Sequence, residues 1–296
     1  MKAPAFDYVR PASLAEALAA LAVHGDNAKL IAGGQSLVPA LNLRLLAPEI
    51  LVDLKDVAEL KGVSVEDGRI RLGAMTRHVE LERSPVIREH APLLADAIRH
   101  VAHPAIRTRG TIGGNLAHAD PASELPACAV ALGADLVIAG QSGERRMPAA
   151  DFFEGVYATS LQPDEILLAI EIPAAPVGRR HAFLELARRL GDYALVGIAC
   201  TATFADGTLR DFAPVFFAAG PRPVLARNAA AALEGQRLDR AVLDAAVEAL
   251  GLDLEPEGDL QISAETRLHL ARTLLRRAVA ALAPEAGLGQ SQEIAA

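Results

Sequence analysis

Two glycine pairs in similar surroundings constrain the fold of this chain most strongly. Gly33-Gly34 lies in "IAGGQSL", and Gly113-Gly114, 80 residues later, lies in "TIGGNL". Glycine admits positive φ and lets another group approach the main chain closely, and successive free N–H groups form a concave anion site. A lone pair of this kind is more often only a tight turn. Two similar loops in one chain favour a ligand-binding site, and a diphosphate is the expected ligand.

The surrounding motifs exclude two common nucleotide sites. Neither glycine pair matches G-x-G-x-x-G after a strand, and neither matches G-x-x-x-x-G-K-[ST], so a Rossmann site and a P-loop are both disfavoured. The net charge of −8, without a long basic run, argues against a nucleic-acid or anionic-membrane surface. A cofactor site in this chain therefore belongs to another fold.

Length and composition indicate a globular protein of a reducing compartment. With 296 residues and 51% hydrophobic content, the chain can build one large or two ordinary domains. Cys128 and Cys200 are too few for a four-thiolate iron–sulfur site or a disulfide framework, and their apolar surroundings predict buried thiols. The N-terminus lacks a signal-peptide core, and no apolar stretch approaches the ~18 residues of a membrane span. We therefore expect a cytoplasmic protein.

The first half of the chain is predicted to mix helices and strands. Ser13 and Glu16 have capping-box spacing ahead of a helical apolar repeat that Gly25 ends. The stretch 103–115 has no helical period and is predicted as a loop. The other predicted elements are a short buried strand before Gly33, strands at 50–54, 70–74, 134–139 and 165–172, and helices opened by Pro39, after Thr76, over 92–101 and over 125–132 with Ser123 as cap.

The second half is predicted to be an antiparallel sheet covered by helices. Strands are expected at 183–188, 194–204 and 209–219, the last two joined by the hairpin dipeptide Asp206-Gly207. Helices are expected at 228–233, 239–250 and 264–282, the last with a leucine stripe. The pattern breaks in "PAAPVGRR". We therefore divide the chain into domains at 1–176 and 177–284 and a tail at 285–296.

Four segments carry a family resemblance. "AGGQSL" at 32–37, "RGTIGGNLAHADPASELPA" at 109–127, "PDEILLAIEIP" at 163–173 and "RRLGDYALVGIA" at 188–199 resemble the FAD-binding medium subunit of the molybdenum hydroxylases, the xanthine dehydrogenase and carbon monoxide dehydrogenase family. The resemblance implies an α+β fold: a two-lobed FAD domain of the vanillyl-alcohol-oxidase (PCMH) type, followed by a smaller α+β domain with an antiparallel sheet and helices.

The resemblance also implies which residues bind FAD. Backbone groups of 32–37 and 111–115 would hold the pyrophosphate and neighbouring ribityl, so a Cβ at Gly114 is expected to intrude on a phosphate. The expected cofactor-binding residues are Ile31, Ala32, Gly33, Gly34, Gln35, Ser36, Leu37, Val101, Thr111, Ile112, Gly113, Gly114, Asn115, Glu124, Leu161 and Tyr193.

Several of these residues have a structural alternative. Glu124 would accept hydrogen bonds from cofactor hydroxyls, or would be a solvated residue in the first turn of a helix. Tyr193 would lie near the isoalloxazine ring, or would be a buried core tyrosine. Arg107 and Arg109 could offset phosphate charge but are more often surface residues. His103 and His118 lack the clustering of a metal site, so neither a metal ligand nor a catalytic acid, base or nucleophile is expected.

Functionally, the resemblance implies one subunit of a complex rather than a complete catalyst. A large molybdopterin subunit would oxidise the substrate, a small subunit with two [2Fe–2S] clusters would relay electrons, and FAD on this chain would pass them to NAD, quinone or oxygen. A dimer of heterotrimers is the family expectation. The alternatives are a stand-alone flavin oxidase and a non-enzymatic scaffold without FAD. A flavin-reaching lysine of several relatives is replaced here in "FLELARR", and the cysteine-bearing insertion of hydroxybenzoyl-CoA reductases is lacking.

Overall fold

The computed structural model describes residues 2–288. Its strands and α-helices follow in this order along the chain: β1 Asp7–Val9, α1 Leu14–His24, β2 Ala28–Ile31, α2 Leu37–Asn42, β3 Ile50–Asp53, β4 Val63–Glu66, β5 Arg69–Gly73, α3 His78–Arg83, α4 Pro85–His90, α5 Pro92–Ala97, α6 Pro104–Arg107, α7 Ile112–His118, α8 Glu124–Ala131, β6 Asp135–Gly140, β7 Gly143–Pro148, α9 Ala149–Phe152, β8 Phe153–Gly155, β9 Ala158–Thr159, β10 Ile166–Pro173, β11 Arg179–Ala187, β12 Ala194–Ala205, β13 Thr208–Phe217, β14 Val224–Leu225, α10 Arg227–Leu233, α11 Arg240–Ala249 and α12 Ala264–Leu282.

The chain divides into two compact units. The first unit contains the described residues up to His90, then Val101–Asp120 and Gly133–Ala174, and the second contains Ala91–His100, Pro121–Leu132 and the described residues from Ala175 onward. The predicted domain boundary at residue 176 cuts the chain once along its sequence. The two units are instead defined by which segments pack together. That domain boundary stays a prediction.

The first unit contains three sheets. A parallel three-stranded sheet has the order β1-β3-β2, and an antiparallel five-stranded sheet has the order β4-β5-β10-β6-β7. Strands β8 and β9 form a separate hairpin. The central strands of the larger sheet carry its core, with Ile70, Val137 and Ile170 each fully buried. Only Ala28 of β2 is buried, so the strand before Gly33 is less buried than predicted.

The second unit is built on one antiparallel sheet with the order β11-β12-β13-β14. Alternate residues of β12, including Val196 and Ile198, share a core with α10, α11 and α12. Helices α5 and α8 also pack against this sheet, and Thr201 Oγ1 donates to the carbonyl of Ala131 at 3.0 Å. The predicted fold class, an α+β protein with an antiparallel C-terminal sheet covered by helices, is confirmed.

Several local predictions are confirmed by the backbone. Ser13 accepts a hydrogen bond from the Glu16 amide at 3.2 Å, and α1 ends at Gly25. Asp206 and Gly207 both have positive φ, 53° and 77°, which suits the tight turn between β12 and β13. None of the helices within residues 2–288 is long and apolar enough to cross a membrane.

One prediction of this kind is wrong, and it concerns the second glycine pair. Residues 103–115 are not a loop, because α6 and the start of α7 lie there. Gly113 and Gly114 are therefore in the first turn of a helix. In addition, α5 ends at Ala97, short of the predicted Val101. The tail predicted at 285–296 lies largely outside the described residues.

Candidate functional site

The two glycine segments touch each other in the first unit. A Cβ on Gly33 would lie 2.2 Å from the carbonyl oxygen of Arg109 and 2.8 Å from the Cα of Gly110. A Cβ on Gly114 would lie 3.3 Å from the Cβ of Ala32. The absence of side chains therefore lets the two backbones approach, so residues 31–37 and 111–115 pack against each other.

The first segment offers a run of backbone donors. Gly34 has φ 71°, its carbonyl accepts the Val38 amide at 3.0 Å, and the Gln35 side-chain amide donates to the carbonyl of Gly33 at 3.0 Å. Between residues 2 and 288, no acceptor is found for the amide N–H groups of Gly33 through Leu37. These residues are partly or fully exposed. Successive free N–H groups of this kind bind anionic oxygens.

The amides of the second segment are already used by the protein. The N–H groups of Ile112 and Gly113 donate to the carbonyls of Thr76 and Ala74 at 3.0 and 2.8 Å. The Gly114 amide donates to Thr111 Oγ1 at 3.1 Å, and the Asn115 amide donates to the Thr111 carbonyl at 3.0 Å. Four amides of this segment therefore have acceptors within the protein, in part on residues 74–76, and the expected role of residues 111–115 in holding the pyrophosphate stays a prediction.

The reason for glycine at these positions also differs from the expected one. Of the four glycines, only Gly34 has positive φ. A Cβ on Gly113 would lie 2.4 Å from the Cβ of Ala74, and one on Gly114 would lie 2.8 Å from Thr111 Oγ1. A side chain at Gly114 would therefore disturb the cap of α7, and its expected intrusion on a phosphate stays a prediction.

Val101 lies at a turn that a buried arginine holds. Arg107 is 8% exposed, donates to the carbonyls of Val101 and Ala102 at 3.2 and 3.0 Å, and pairs with Glu82 at 3.1 Å. Ala102 has φ 48°, so the turn is strained and needs this support. The alternative of a surface residue is therefore wrong for Arg107, and its role as a phosphate partner stays a prediction. Arg109 is exposed and contributes its backbone carbonyl to the contact with Gly33.

The remaining expected residues of the first unit include Ile31, Ala32, Ile112 and Leu161. Ile31 and Ala32 are half-buried at the end of β2, and Ile112 is buried. Leu161 is half-buried, and its amide donates to Thr159 Oγ1 at 3.4 Å. His103 stands at the N-terminus of α6, and His118 ends α7.

Glu124 and Tyr193 belong to the second unit. Glu124 opens α8 and is 7% exposed, so the alternative of a solvated residue is wrong. Tyr193 lies in the connection between β11 and β12 and is 69% exposed, so the alternative of a buried core tyrosine is also wrong. Both side chains have interactions within the described chain.

Two titratable residues have strongly shifted pKa values: His78, which the sequence did not single out, and Glu185, which lies in the segment "FLELARR" that replaces the lysine of several relatives. His78 of the first unit is buried where α3 begins, its amide donates to the carbonyl of Gly110, and burial lowers its pKa to about 4. Glu185 of the second unit has a side chain only 4% exposed, and burial raises its pKa to about 7. His100 Nδ1 lies 4.0 Å from its carboxylate. Periodicity gives no signal for either shift, because both follow from packing.

These residues fit FAD. The pyrophosphate of a dinucleotide needs several donors at close range, and the five amides from Gly33 to Leu37 supply them on an accessible surface. The glycine contacts keep that surface free of side chains. Across residues 2–288, no three His, Cys, Asp or Glu side chains are grouped so that they could hold a metal ion.

Comparison with known families and proteins agrees with this geometry. Residues 4–175 match the family described as "FAD binding domain in molybdopterin dehydrogenase", and residues 181–282 match "CO dehydrogenase flavoprotein C-terminal domain". The beta subunit of caffeine dehydrogenase from Pseudomonas sp. (strain CBB1) is 41% identical over 286 residues, covering 95% of each chain. The medium chain of carbon monoxide dehydrogenase from Afipia carboxidovorans is 38% identical, covering 93% of this chain and 95% of that one.

A solved structure is similar over almost the whole chain. Carbon monoxide dehydrogenase from Hydrogenophaga pseudoflava contains a chain that superimposes with a TM-score of 0.94 at 37% identity, covering 97% of this chain and 100% of that one. The likeness thus includes both units and both glycine segments. The chain belongs to the family of FAD-binding subunits of molybdopterin dehydrogenases, and its cofactor is FAD.

Proposed function

We propose that this chain is the electron-exit subunit of a cytoplasmic molybdenum hydroxylase complex. It takes electrons from the [2Fe–2S] clusters of a small partner subunit, and it passes them to an external acceptor. A large molybdopterin subunit carries out substrate oxidation, and two copies of each chain form a dimer of heterotrimers. The observation that carries this proposal is the run of free amides at Gly33–Leu37 beside a rigid second glycine segment, in a chain of this family.

Each part of the site has a defined task in this proposal. The amides of Gly33–Leu37 hold the pyrophosphate, and the bonded backbone of Thr111–Asn115 fixes the wall beside it. Buried Glu124 accepts hydrogen bonds from cofactor hydroxyls, and exposed Tyr193 shields the ring. When bound, FAD supplies the exchange between two-electron and one-electron steps.

The residues of this chain bind and orient the cofactor without transferring protons to a substrate. Val101 and Leu161 complete the predicted FAD site, and the backbone of each is held by a side chain, that of Arg107 for Val101 and that of Thr159 for Leu161. Arg107 holds its turn by hydrogen bonds to the carbonyls of Val101 and Ala102, so it acts on the FAD site through Val101.

The partners follow from what this chain provides and what its relatives are called. Cys128 and Cys200 are buried thiols without the four-ligand set of an iron–sulfur cluster, so the clusters are assigned to another chain. The relatives are named as a subunit or a medium chain of enzymes that act on caffeine or carbon monoxide. Such different substrates on similar FAD subunits support placing the substrate pocket on the large subunit.

Co-expression with neighbouring reading frames tests the proposal. We expect a yellow complex of three chains whose flavin absorbance is bleached by substrate only when the iron–sulfur subunit is present. Addition of NAD, a quinone or oxygen in separate stopped-flow runs then identifies the acceptor. A yellow chain that purifies alone and oxidises a small molecule would establish the stand-alone oxidase instead. A colourless chain would contradict both.

A further inference from the structure

Tyr157 has a backbone conformation that tyrosine rarely adopts. Its φ is 55°, in the turn between β8 and β9. Bulky residues are uncommon in this left-handed region, where glycine meets no steric cost. The Tyr157 amide donates to the carbonyl of Ala119 at 3.1 Å. Ala119 itself has φ 50° at the C-terminal end of α7, so two strained residues are bonded to each other.

The Tyr157 side chain also contacts a second ring. Its ring lies 4.8 Å from the ring of His118, centroid to centroid, at an interplanar angle of 31°. Burial, and to a lesser degree the Asp120 carboxylate, raises the pKa of the Tyr157 hydroxyl. The side chain is nevertheless 59% exposed, and its neighbour Val156 is 57% exposed. Packing does not explain a fixed but exposed ring, because little apolar area is removed from water.

Strain that persists without a packing benefit is a feature of functional sites. Here the strain orients one planar ring toward solvent, with His118 behind it. Glycine at position 157 would remove the strain and lose only the smaller, buried part of the residue, which is 59% exposed. The chain thus keeps a tyrosine where the fold alone favours glycine.

The position of this ring relates it to the cofactor site. Both lie in the first unit, and α7 joins them, since the helix begins at the second glycine segment and ends at His118. His118 lies four positions after Gly114, which is about 6 Å along a helix axis. Either sugar arm of FAD, between the pyrophosphate and its ring, can span such a length.

We propose that Tyr157 is a stacking residue for one of the two planar ring systems of FAD. The inference rests on the proposed FAD site at Gly33–Leu37. Isoalloxazine and adenine offer the same chemistry to a tyrosine ring, a flat π-face with an apolar surface. The His118 contact and the backbone at φ 55° hold the ring in the orientation that stacking needs.

Three variants of the full-length chain separate stacking from a structural role. Tyr157→Gly removes the ring and relieves the strained φ, Tyr157→Asn removes the ring with a residue that tolerates this φ, and Tyr157→Phe keeps the ring without the hydroxyl. Asp67→Gly is the matched control, because Asp67 is exposed with φ 50° in the turn between β4 and β5. For each, FAD affinity of the apoprotein is measured by flavin fluorescence, and Tm by circular dichroism.

The expected result is a loss of affinity without a loss of folding. Stacking energies predict an FAD Kd at least about fivefold weaker in Tyr157→Gly and Tyr157→Asn. The Tyr157→Phe and Asp67→Gly variants should stay near the wild-type value, and Tyr157→Gly should keep or raise the wild-type Tm. Competition with FMN and with ADP then identifies the ring, because only the ligand that carries it loses affinity in Tyr157→Gly.

An FAD Kd that is unchanged in folded Tyr157→Gly or Tyr157→Asn would overturn the stacking role while leaving the FAD site intact. A wild-type chain that binds no FAD would instead overturn the proposed function, and the stacking role with it.

Discussion

Gly33 and Gly34 are adjacent, but they are glycines for different reasons. Gly33 has to be bare because the carbonyl of Arg109 occupies the space that its Cβ would take, at 2.2 Å. Gly34 has to be glycine because its φ is 71°. The missing side chain of Gly33 lets the two glycine segments contact each other, and the positive φ of Gly34 orients the amides that follow it. The sequence predicts the pair as a ligand loop, but the partner of each glycine depends on tertiary contacts that no local pattern contains.

Substitution of Gly34 should separate the cofactor role of this loop from its stability. We expect Gly34→Ala to weaken FAD binding at least about tenfold, because relief of the strained φ turns the amides of residues 34–37 away from a common point. The matched control is Gly68→Ala, whose glycine has φ 72° in the turn between β4 and β5 with nothing within 4 Å of its Cβ.

Both glycine variants should lose about 1–2 kcal/mol of unfolding free energy, the cost of a left-handed alanine. Isothermal titration with FAD and chemical denaturation of the apoproteins measure the two effects. Equal FAD affinity in the two variants would show that the amides from Gly34 onward do not hold the cofactor.

Glu185 should make the unfolding free energy of the chain depend on pH near neutrality. Its pKa is raised from 4.5 to about 7 by burial. The folded state therefore keeps a proton that the unfolded state loses, so the stability present below pH 4.5 falls as pH rises to 7. A shift of this size corresponds to about 3 kcal/mol. Burial also lowers the pKa of His100, whose ring is 4.0 Å away, so this neighbour does not provide a cation above pH 7.

The variant Glu185→Gln should consequently be more stable than the wild type above pH 7, with the difference shrinking toward pH 5. Urea denaturation at several pH values measures it. Exposed Glu66 provides the control, since Glu66→Gln should follow the wild-type pH profile. If the unfolding free energy of Glu185→Gln varied with pH in parallel with that of the wild type, the Glu185 carboxylate would be hydrated in the folded protein.

At the scale of elements, α7 was the one least accessible to sequence reasoning. It has seven residues, and two of its first three are glycines, which have low helix propensity. Its first turn is instead stabilised by the Thr111 cap and by bonds to the carbonyls of Thr76 and Ala74. These bonds come from residues more than thirty positions earlier in the chain, so a local pattern could not reveal the helix.

The Thr111 cap should therefore couple helix stability to FAD binding. Thr111→Val keeps the shape of the side chain but removes the acceptor of the Gly114 amide, and should cost about 1 kcal/mol of unfolding free energy. We also expect several-fold weaker FAD binding, because the wall beside Gly33 loosens. Ser263→Ala removes the equivalent cap of α12 in the second unit. It should cost a similar free energy and leave FAD affinity unchanged, as measured by titration and denaturation. An unaltered affinity in Thr111→Val would separate α7 from the cofactor site.

Elements with strong local signals were predicted well. Helix α12 has the predicted bounds, 264–282, because the Ser263 cap and a long apolar stripe agree with each other. Strands β4 and β7 gave no such signal. Each is at an edge of the five-stranded sheet, and the residues of β7 are mostly polar or charged, "GERRMP". Their pairing with a neighbouring strand, rather than their own periodicity, makes them strands.

For the whole molecule, the order of segments along the chain does not predict which unit each segment belongs to. Helices α5 and α8 pack against the sheet of the second unit, although the chain on either side of each belongs to the first. A break in composition marks a position along the sequence, and it does not show in which unit the segments on either side pack. Helices that leave one unit and pack in another are specified by contacts far apart in sequence.

Cofactor binding should raise the thermal stability of the whole chain by mass action. At an FAD concentration of a hundred times Kd, the folded state gains about 2.7 kcal/mol. For a chain of this size, roughly 2–4 °C of Tm per kcal/mol converts this gain into an increase of about 5–10 °C. The chain has no tryptophan, so circular dichroism is the suitable probe.

The dependence of that increase on ligand and variant tests the site as a whole. Since the amides of Gly33–Leu37 are assigned to the pyrophosphate, ADP should raise Tm in part, riboflavin should raise it least, and Gly34→Ala should lose most of the increase at the same FAD concentration. Gly68→Ala should start from a lower Tm and show the full increase. If riboflavin stabilised the chain as much as FAD, the diphosphate would contribute nothing, and the free amides would need another ligand.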